Sequence, residues 1–211
     1  MRASPPKNSA KVGALQAAPQ AIEICCGSAG LCAAFCRLGI PALGVDWGRN
    51  RHVPKSPCLS INMAEASGLA QVIEVLSGCA KLHLAWLGVP RGSASRAREV
   101  VRGPDMPPQL RSAEYPEGLP GLTERNAKKV QAADAIYANS LSIIKWCEAR
   151  SVAWSVENPA NSYLWFLPGY VDLLKNDKVK DVLVTAASAS LRQQAHARAV
   201  EFRPVAMAHG R

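Results

Sequence analysis

No two cysteines stand in Cys-x-x-Cys spacing, no apolar run approaches the ~20 residues that cross a bilayer, and residues 1 to 20 contain no acidic side chain. Each absence excludes something. Seven scattered cysteines, an odd number with no secretory signal, argue against a disulfide framework and for a reducing compartment. Free cysteines are among the most buried residue types, so Cys25, Cys26, Cys32 and Cys36 read as small core residues, with no metal site expected. The absence of a long apolar run leaves no expected membrane segment. The acid-free, Pro- and Ala-rich start, residues 1–20, reads as a disordered tail, with a transit peptide as the other reading of its composition. Aromatic residues are also scarce, 6% of the chain against 48% apolar overall, so Ala, Val, Leu and Ile must fill the core. Acidic residues are outnumbered 16 to 25 by Lys and Arg, and the net charge of +9 favours a polyanionic partner through counterion release.

At 211 residues the chain is long enough for one domain with a full core and short for two. Residues 21–47 divide into a strand (AIEICC), a small-residue turn (GSAG), a helix (LCAAFCRLG) and a strand (IPALGVDW), the order of a right-handed βαβ unit. A short strand at CLSIN, a helix near AQVIEVL and a buried strand LHLAWL continue the alternation. The fold class expected is α/β, a doubly wound and mostly parallel sheet. Residues 91–122 are rich in Pro, Gly and Arg without periodicity, which marks a functional loop. A long helix is expected from an N-cap at Thr123, with Val130, Ala133, Ile136, Tyr137, Leu141, Ile144 and Cys147 forming its inward stripe. The strand SVAWSV and the turn ENPANS follow. The domain is expected over 21–175, leaving 176–211 as a divergent, partly helical segment. There VLV, residues 182–184, is the one later strand candidate, which implies either a short sheet or a truncated copy.

Three constellations carry chemistry. Glu23 to Leu31, EICCGSAGL, puts small residues where a ligand can approach the backbone, and Asp46, at the end of the next strand, is spaced to meet ribose hydroxyls. The second is GVPRGSASRARE, Gly88 to Glu99, at the end of LHLAWL. The third is ENPANS, Glu157 to Ser162. Together with Gly118 to Leu122, GLPGL, these motifs resemble the carbon-5 cytosine methyltransferases, most closely a divergent protist-type branch with a Pro-Cys-x-(S/T)-x-S-R-A-R-E loop. The resemblance covers about residues 21–175 and rests on several motifs in the right order.

That resemblance implies a class I methyltransferase-like domain with S-adenosyl-L-methionine as cofactor. The turn Gly27 to Gly30 would hold its methionine part and Asp46 its ribose. Glu23, Ser28, Leu31, Trp47, Asn62 and Pro90 complete the implied cofactor set. Asn62 stands where the family has an acidic residue near the adenine, and its amide accepts a hydrogen bond without carrying charge. Glu157 would meet the edge of a cytosine turned out of its helix. Arg91 occupies the position of the nucleophilic cysteine. A guanidinium has donors only and stays protonated, so it neither attacks a ring carbon nor leaves one. Ser93 and Ser95 are unactivated hydroxyls with no histidine nearby in sequence.

Cytosine methylation is therefore expected to be lost, and Arg91 suits a phosphate or carboxylate instead. Arg96, Arg98 and Arg102 are the expected nucleic-acid contacts, DNA in preference to RNA, although Arg96 and Arg98 are also placed to pair with Glu99 or cap nearby helices. Arg111 adds a further charge to the same basic loop. Other readings stay open: an amino-group methyltransferase using the Asn158-Pro159 turn, a non-catalytic nucleic-acid-binding scaffold, or a degenerate product. Charge and thiols together point to an intracellular protein, nuclear rather than cytoplasmic.

Overall fold

The computed structural model describes residues 18–99, 106–186 and 195–202. Strand β1 (Ala21–Ile24), helix α1 (Gly30–Arg37), β2 (Ala42–Asp46) and β3 (Cys58–Ser60) come first, followed by α2 (Gly68–Gly78) and β4 (Leu84–Leu87). After the Pro-rich loop come α3 (Glu124–Glu148), β5 (Ala153–Pro159), α4 (Pro168–Leu174), β6 (Val179–Ala186) and β7 (Ala195–Phe202). The sheet order is β3-β2-β1-β4-β5-β7-β6. The first five strands in that order pair in parallel, while β7 runs antiparallel to both of its neighbours. The α/β, mostly parallel sheet expected from the sequence is the fold observed.

Strand alternation sorts the core onto two faces. Ile22, Ile24, Leu43, Val45, Leu87, Trp154 and Val156 join Val72 and Leu76 of α2, Tyr137, Ile143 and Ile144 of α3 and Tyr170 of α4 in one large cluster. Complete burial of each such aliphatic side chain stabilises the fold by roughly 1.5–3 kcal/mol. The other face packs α1 on a smaller cluster of Ala21, Cys26, Ala29, Cys32 and Ala42. Its buried members are all Ala or Cys, with Phe35 and Leu84 packed against them from the margin. Helices on both faces make the sheet doubly wound.

Helix α3 buries Val130, Tyr137, Ile144 and Cys147 of the expected stripe, with Ser140 and Ile143 beside them. Thr123 does stand at its N-cap, but its hydroxyl makes no capping hydrogen bond, and its carbonyl accepts from the Asn126 and Ala127 amides instead. The C-terminal segment departs from expectation. The Ala-rich stretch read as helical is strand β7, paired with β5 from Trp154↔Phe202 to Pro159↔Ala197 and with β6 along its whole length. Pairing on both sides satisfies its backbone throughout, and that outweighs the helical preference of alanine. Helix α4 was also not anticipated. Among the described residues no helix is long and apolar enough to cross a membrane.

Candidate functional site

The carboxyl ends of the parallel strands converge on one rim of the sheet, where ligands of doubly wound domains bind. After β1 the chain turns sharply through left-handed conformations at Cys25 (φ 57°), Gly27 (φ 56°) and Ala29 (φ 50°). For the two residues with a Cβ this costs on the order of 1 kcal/mol each, so the surroundings must hold the turn. Asp46 does so from the end of β2. Its Oδ2 accepts from the Gly27 amide at 2.7 Å and from the Asn50 side chain at 2.9 Å, and its Oδ1 accepts from the Trp47 amide at 2.7 Å. Asn50 also donates to the Gly27 carbonyl. Burial raises the Asp46 pKa above the usual carboxylate value, and the Trp47 and Gly27 amides oppose that rise.

Glu23 has a different task at the same turn. It is 9% exposed, and its Oε2 accepts from the Cys32 amide at 2.9 Å in the first turn of α1. Ala29 at the N-cap has no side chain able to cap, so a strand carboxylate satisfies the helix end. Gly30 and Leu31 begin that helix, and the Ser28 carbonyl accepts from the Lys55 amide at 2.8 Å.

Beyond Asp46, Trp47 is 46% exposed and stands between two clefts. One, of about 360 Å³, is lined by Asp46, Asn50, His52, Pro57 and Cys58 among others. The second, of about 420 Å³, joins Trp47 to Asn62, Ser60, Arg49, Gln71 and Glu65. Trp47 and Asn62 thus line one cleft. The Asn62 side chain is held at both ends, donating to Glu65 at 2.9 Å and accepting from the Ala64 amide at 3.1 Å. Glu65 supplies a carboxylate three residues from the position where Asn62 lacks one.

On the other half of the rim, the loop after β4 and the turn after β5 are laced together. Asn158, 1% exposed, donates to the Val89 carbonyl at 2.8 Å. The Ala94 carbonyl accepts from the Tyr163 amide at 2.9 Å and the Ser162 hydroxyl at 3.3 Å. The Pro90 carbonyl accepts from the Tyr137 hydroxyl at 2.7 Å. Arg91 is exposed on this loop, and Glu157 is half-buried on β5. Burial lifts the Glu157 pKa, and the positive charge of Arg91 counters that lift. Arg91 follows β4 and Glu157 lies near the end of β5, two strands that pair directly. The carboxylate can hydrogen-bond a polar heterocycle and the guanidinium can hold an anion, but the guanidinium is no nucleophile toward carbon.

Burial pushes the Cys25 thiol up to about 12, with Asp46 adding to the shift, so it stays protonated at neutral pH.

The arginines of the basic loop divide. Arg96 forms a two-pronged pair with Glu99 at 2.8 and 3.2 Å, lies over the Tyr163 ring and is 44% exposed. The Tyr163 hydroxyl donates to the same carboxylate. Arg98 donates to the Gly92 and Pro108 carbonyls at 2.8 and 3.2 Å. Arg102 lies outside the described residues. Arg111 is wholly buried and is not part of a basic surface. It donates to the Ser93 hydroxyl and to the Pro116 and Val130 carbonyls, pairs with Asp134 at 2.7 Å and stacks over Tyr137. Sequence reasoning missed Asn50, Glu65 and the buried task of Arg111. The spacing Asn62 to Glu65, a side-chain turn before a helix, is the one signal that could have found any of them.

No known family model matches the chain, and no curated protein matches it. Among solved structures the chain is similar to the Entamoeba histolytica methyltransferase EhMeth, at 14% identity and a TM-score of 0.47, covering 89% of this chain and 53% of that one. It thus spans about half the length of that structure. The fold is a doubly wound α/β domain with clefts at the carboxyl ends of its strands.

Proposed function

We propose that this chain is a methyltransferase-like protein, related to the cytosine carbon-5 enzymes, that binds S-adenosyl-L-methionine and nucleic acid without methylating cytosine. The observation that carries the reading is an exposed Arg91 at the position where the resemblance puts the nucleophile, on the loop after β4 and close enough to Glu157 for its charge to lower that carboxyl's pKa. The donor set on the other half of the rim fits the cofactor. Asp46 Oδ1, with one internal partner, retains a lone pair for a ribose hydroxyl, and the exposed Trp47 ring offers a face to a purine. S-adenosyl-L-methionine supplies an electrophilic methyl group when bound. Glu23 and Asp46 hold the Cys25–Ala29 turn in shape, Asn158 and Ser162 hold the loop, and Glu157 is placed to accept from an amino group of a base.

Arg91 and the exposed part of Arg96 would meet phosphate, DNA in preference to RNA, which agrees with the net charge of +9 and with a nuclear setting. The inward-facing Asn158 gives no support to methylation of an exocyclic amino group by the Asn-Pro turn.

Calorimetry with S-adenosyl-L-methionine tests the first half: saturable binding, weakened at least tenfold by Asp46→Ala, is expected, and no heat of binding would overturn it. Labelled methyl transfer to cytosine-containing DNA tests the second. Wild type should transfer nothing; incorporation by wild type would show that Arg91 does not abolish the chemistry. Arg91→Cys separates loss of the nucleophile alone, in which case transfer returns, from wider decay of the site.

A further inference from the structure

Strand β2 lies between β1 and β3, yet the side chains that follow β1 and open β3 meet across it. The Cys26 and Cys58 sulfurs are 3.4 Å apart, and both residues are free thiols. Between them runs Gly44, paired with Glu23 of β1 on one side and with Cys58 of β3 on the other. A Cβ built on Gly44 would lie 2.8 Å from the Cys26 sulfur, closer than van der Waals contact allows. The absent side chain of Gly44 is therefore what lets one thiol reach the other.

The two thiols differ in access. Cys26 is buried, whereas Cys58 is half-buried and lines the cleft of about 360 Å³ beside Asp46 and Pro57. They also differ in acidity. The hydrogen bond between them couples the two titrations, lowering the Cys58 pKa and, with burial, raising that of Cys26. Its access to the cleft makes Cys58 the sulfur that a solute meets first.

We propose that Cys26 and Cys58 form a peroxide-sensitive dithiol, a modification site that closes to a disulfide across Gly44. Hydrogen peroxide enters the cleft, and the Cys58 thiolate attacks one of its oxygens. The O–O bond breaks, Cys58 becomes a sulfenic acid, and the departing hydroxide takes up a proton to give water. The Cys26 sulfur then attacks the Cys58 sulfur, the S–O bond breaks, and hydroxide leaves with the Cys26 proton as a second water. The pair loses two electrons and peroxide gains them. Closing from 3.4 Å to a bonded separation of about 2.05 Å needs only about 0.7 Å from each sulfur if the motion is shared. The bond would fasten the left-handed Cys25–Ala29 turn to the edge strand β3, so oxidation acts on the rim through its backbone.

Peroxide titration of the full-length chain, followed by non-reducing peptide mass spectrometry, tests this. The expected product has lost two hydrogens, contains a linked peptide pair holding Cys26 and Cys58, and reverts with dithiothreitol. Its thermal midpoint should rise by on the order of 5 °C, and amide exchange from Gly27 to Cys32 should slow. Cys26→Ser should stop at a Cys58 sulfenic acid trapped by dimedone, and Gly44→Ala, by forcing the Cys26 sulfur aside, should block the link. Persistent sulfenic acid on wild-type Cys58 without a link, or linkage through the exposed Cys36, would overturn the proposal. None of these readouts involves a bound cofactor, so the outcome is independent of the function proposed above.

Discussion

Single residues set the strength of this rim. Arg111 is the clearest case, because a guanidinium with no exposure satisfies three acceptors and one carboxylate at once. Arg111→Met should lower the unfolding free energy by about 3–5 kcal/mol in urea titration, since Asp134 is left beside an apolar side chain. Asp46→Ala removes the acceptor of the Gly27 and Trp47 amides and should cost about 1–3 kcal/mol in the same measurement. Glu157 gives a prediction of opposite sign. Burial raises its folded-state pKa above the unfolded value, so the folded protein holds the proton more tightly. That contribution is full below about pH 4, the ordinary carboxylate range, and is lost as pH rises through the folded value. Glu157→Gln should therefore leave stability little changed at pH 4 and raise it relative to wild type at pH 8, read from urea midpoints. Arg91→Gln should move the Glu157 titration further upward, followed by carboxyl ¹³C NMR.

At the scale of elements, helix α2 shows how one glycine is required and another is not. Gly68 opens the helix against the turn after β3, where a Cβ would sit 2.2 Å from the Asn62 carbonyl oxygen, while Gly78 closes it with nothing within 4 Å. Gly68→Ala should destabilise by about 1–3 kcal/mol, and Gly78→Ala should stabilise by about 0.4–1 kcal/mol, both by chemical denaturation. Elements with a strong internal period were legible from residues alone: α3 shows its stripe over 25 residues, and the βαβ start is written in its small-residue turn. Strand β7 was not, because AHARAVEF carries helical preference locally and becomes a strand only between β5 and β6. The lacing of Asn158 to Val89 was equally hidden. It joins residues 69 apart, and only the adjacency of β4 and β5 brings them together. Arg111 was read as a surface charge because sequence shows the cation but not the acceptors that fold around it.

For the whole molecule, the charge of +9 sets how it should meet a polyanion. On the proposed reading, binding to a short DNA duplex should weaken log-linearly with salt, and Arg91→Ala should reduce that slope by about one without favouring any sequence. The order of strands carries a consequence for biosynthesis. A ribosome makes β5 well before the strand that will cover its free edge, and β6, though made next, finds its partner only in β7. The nascent sheet therefore emerges with an open margin along Trp154 to Pro159, which is covered only when β7 pairs with it. A chain ended at Leu174 should self-associate through that margin and elute early in size-exclusion chromatography, whereas a chain that carries β6 and β7 covers it.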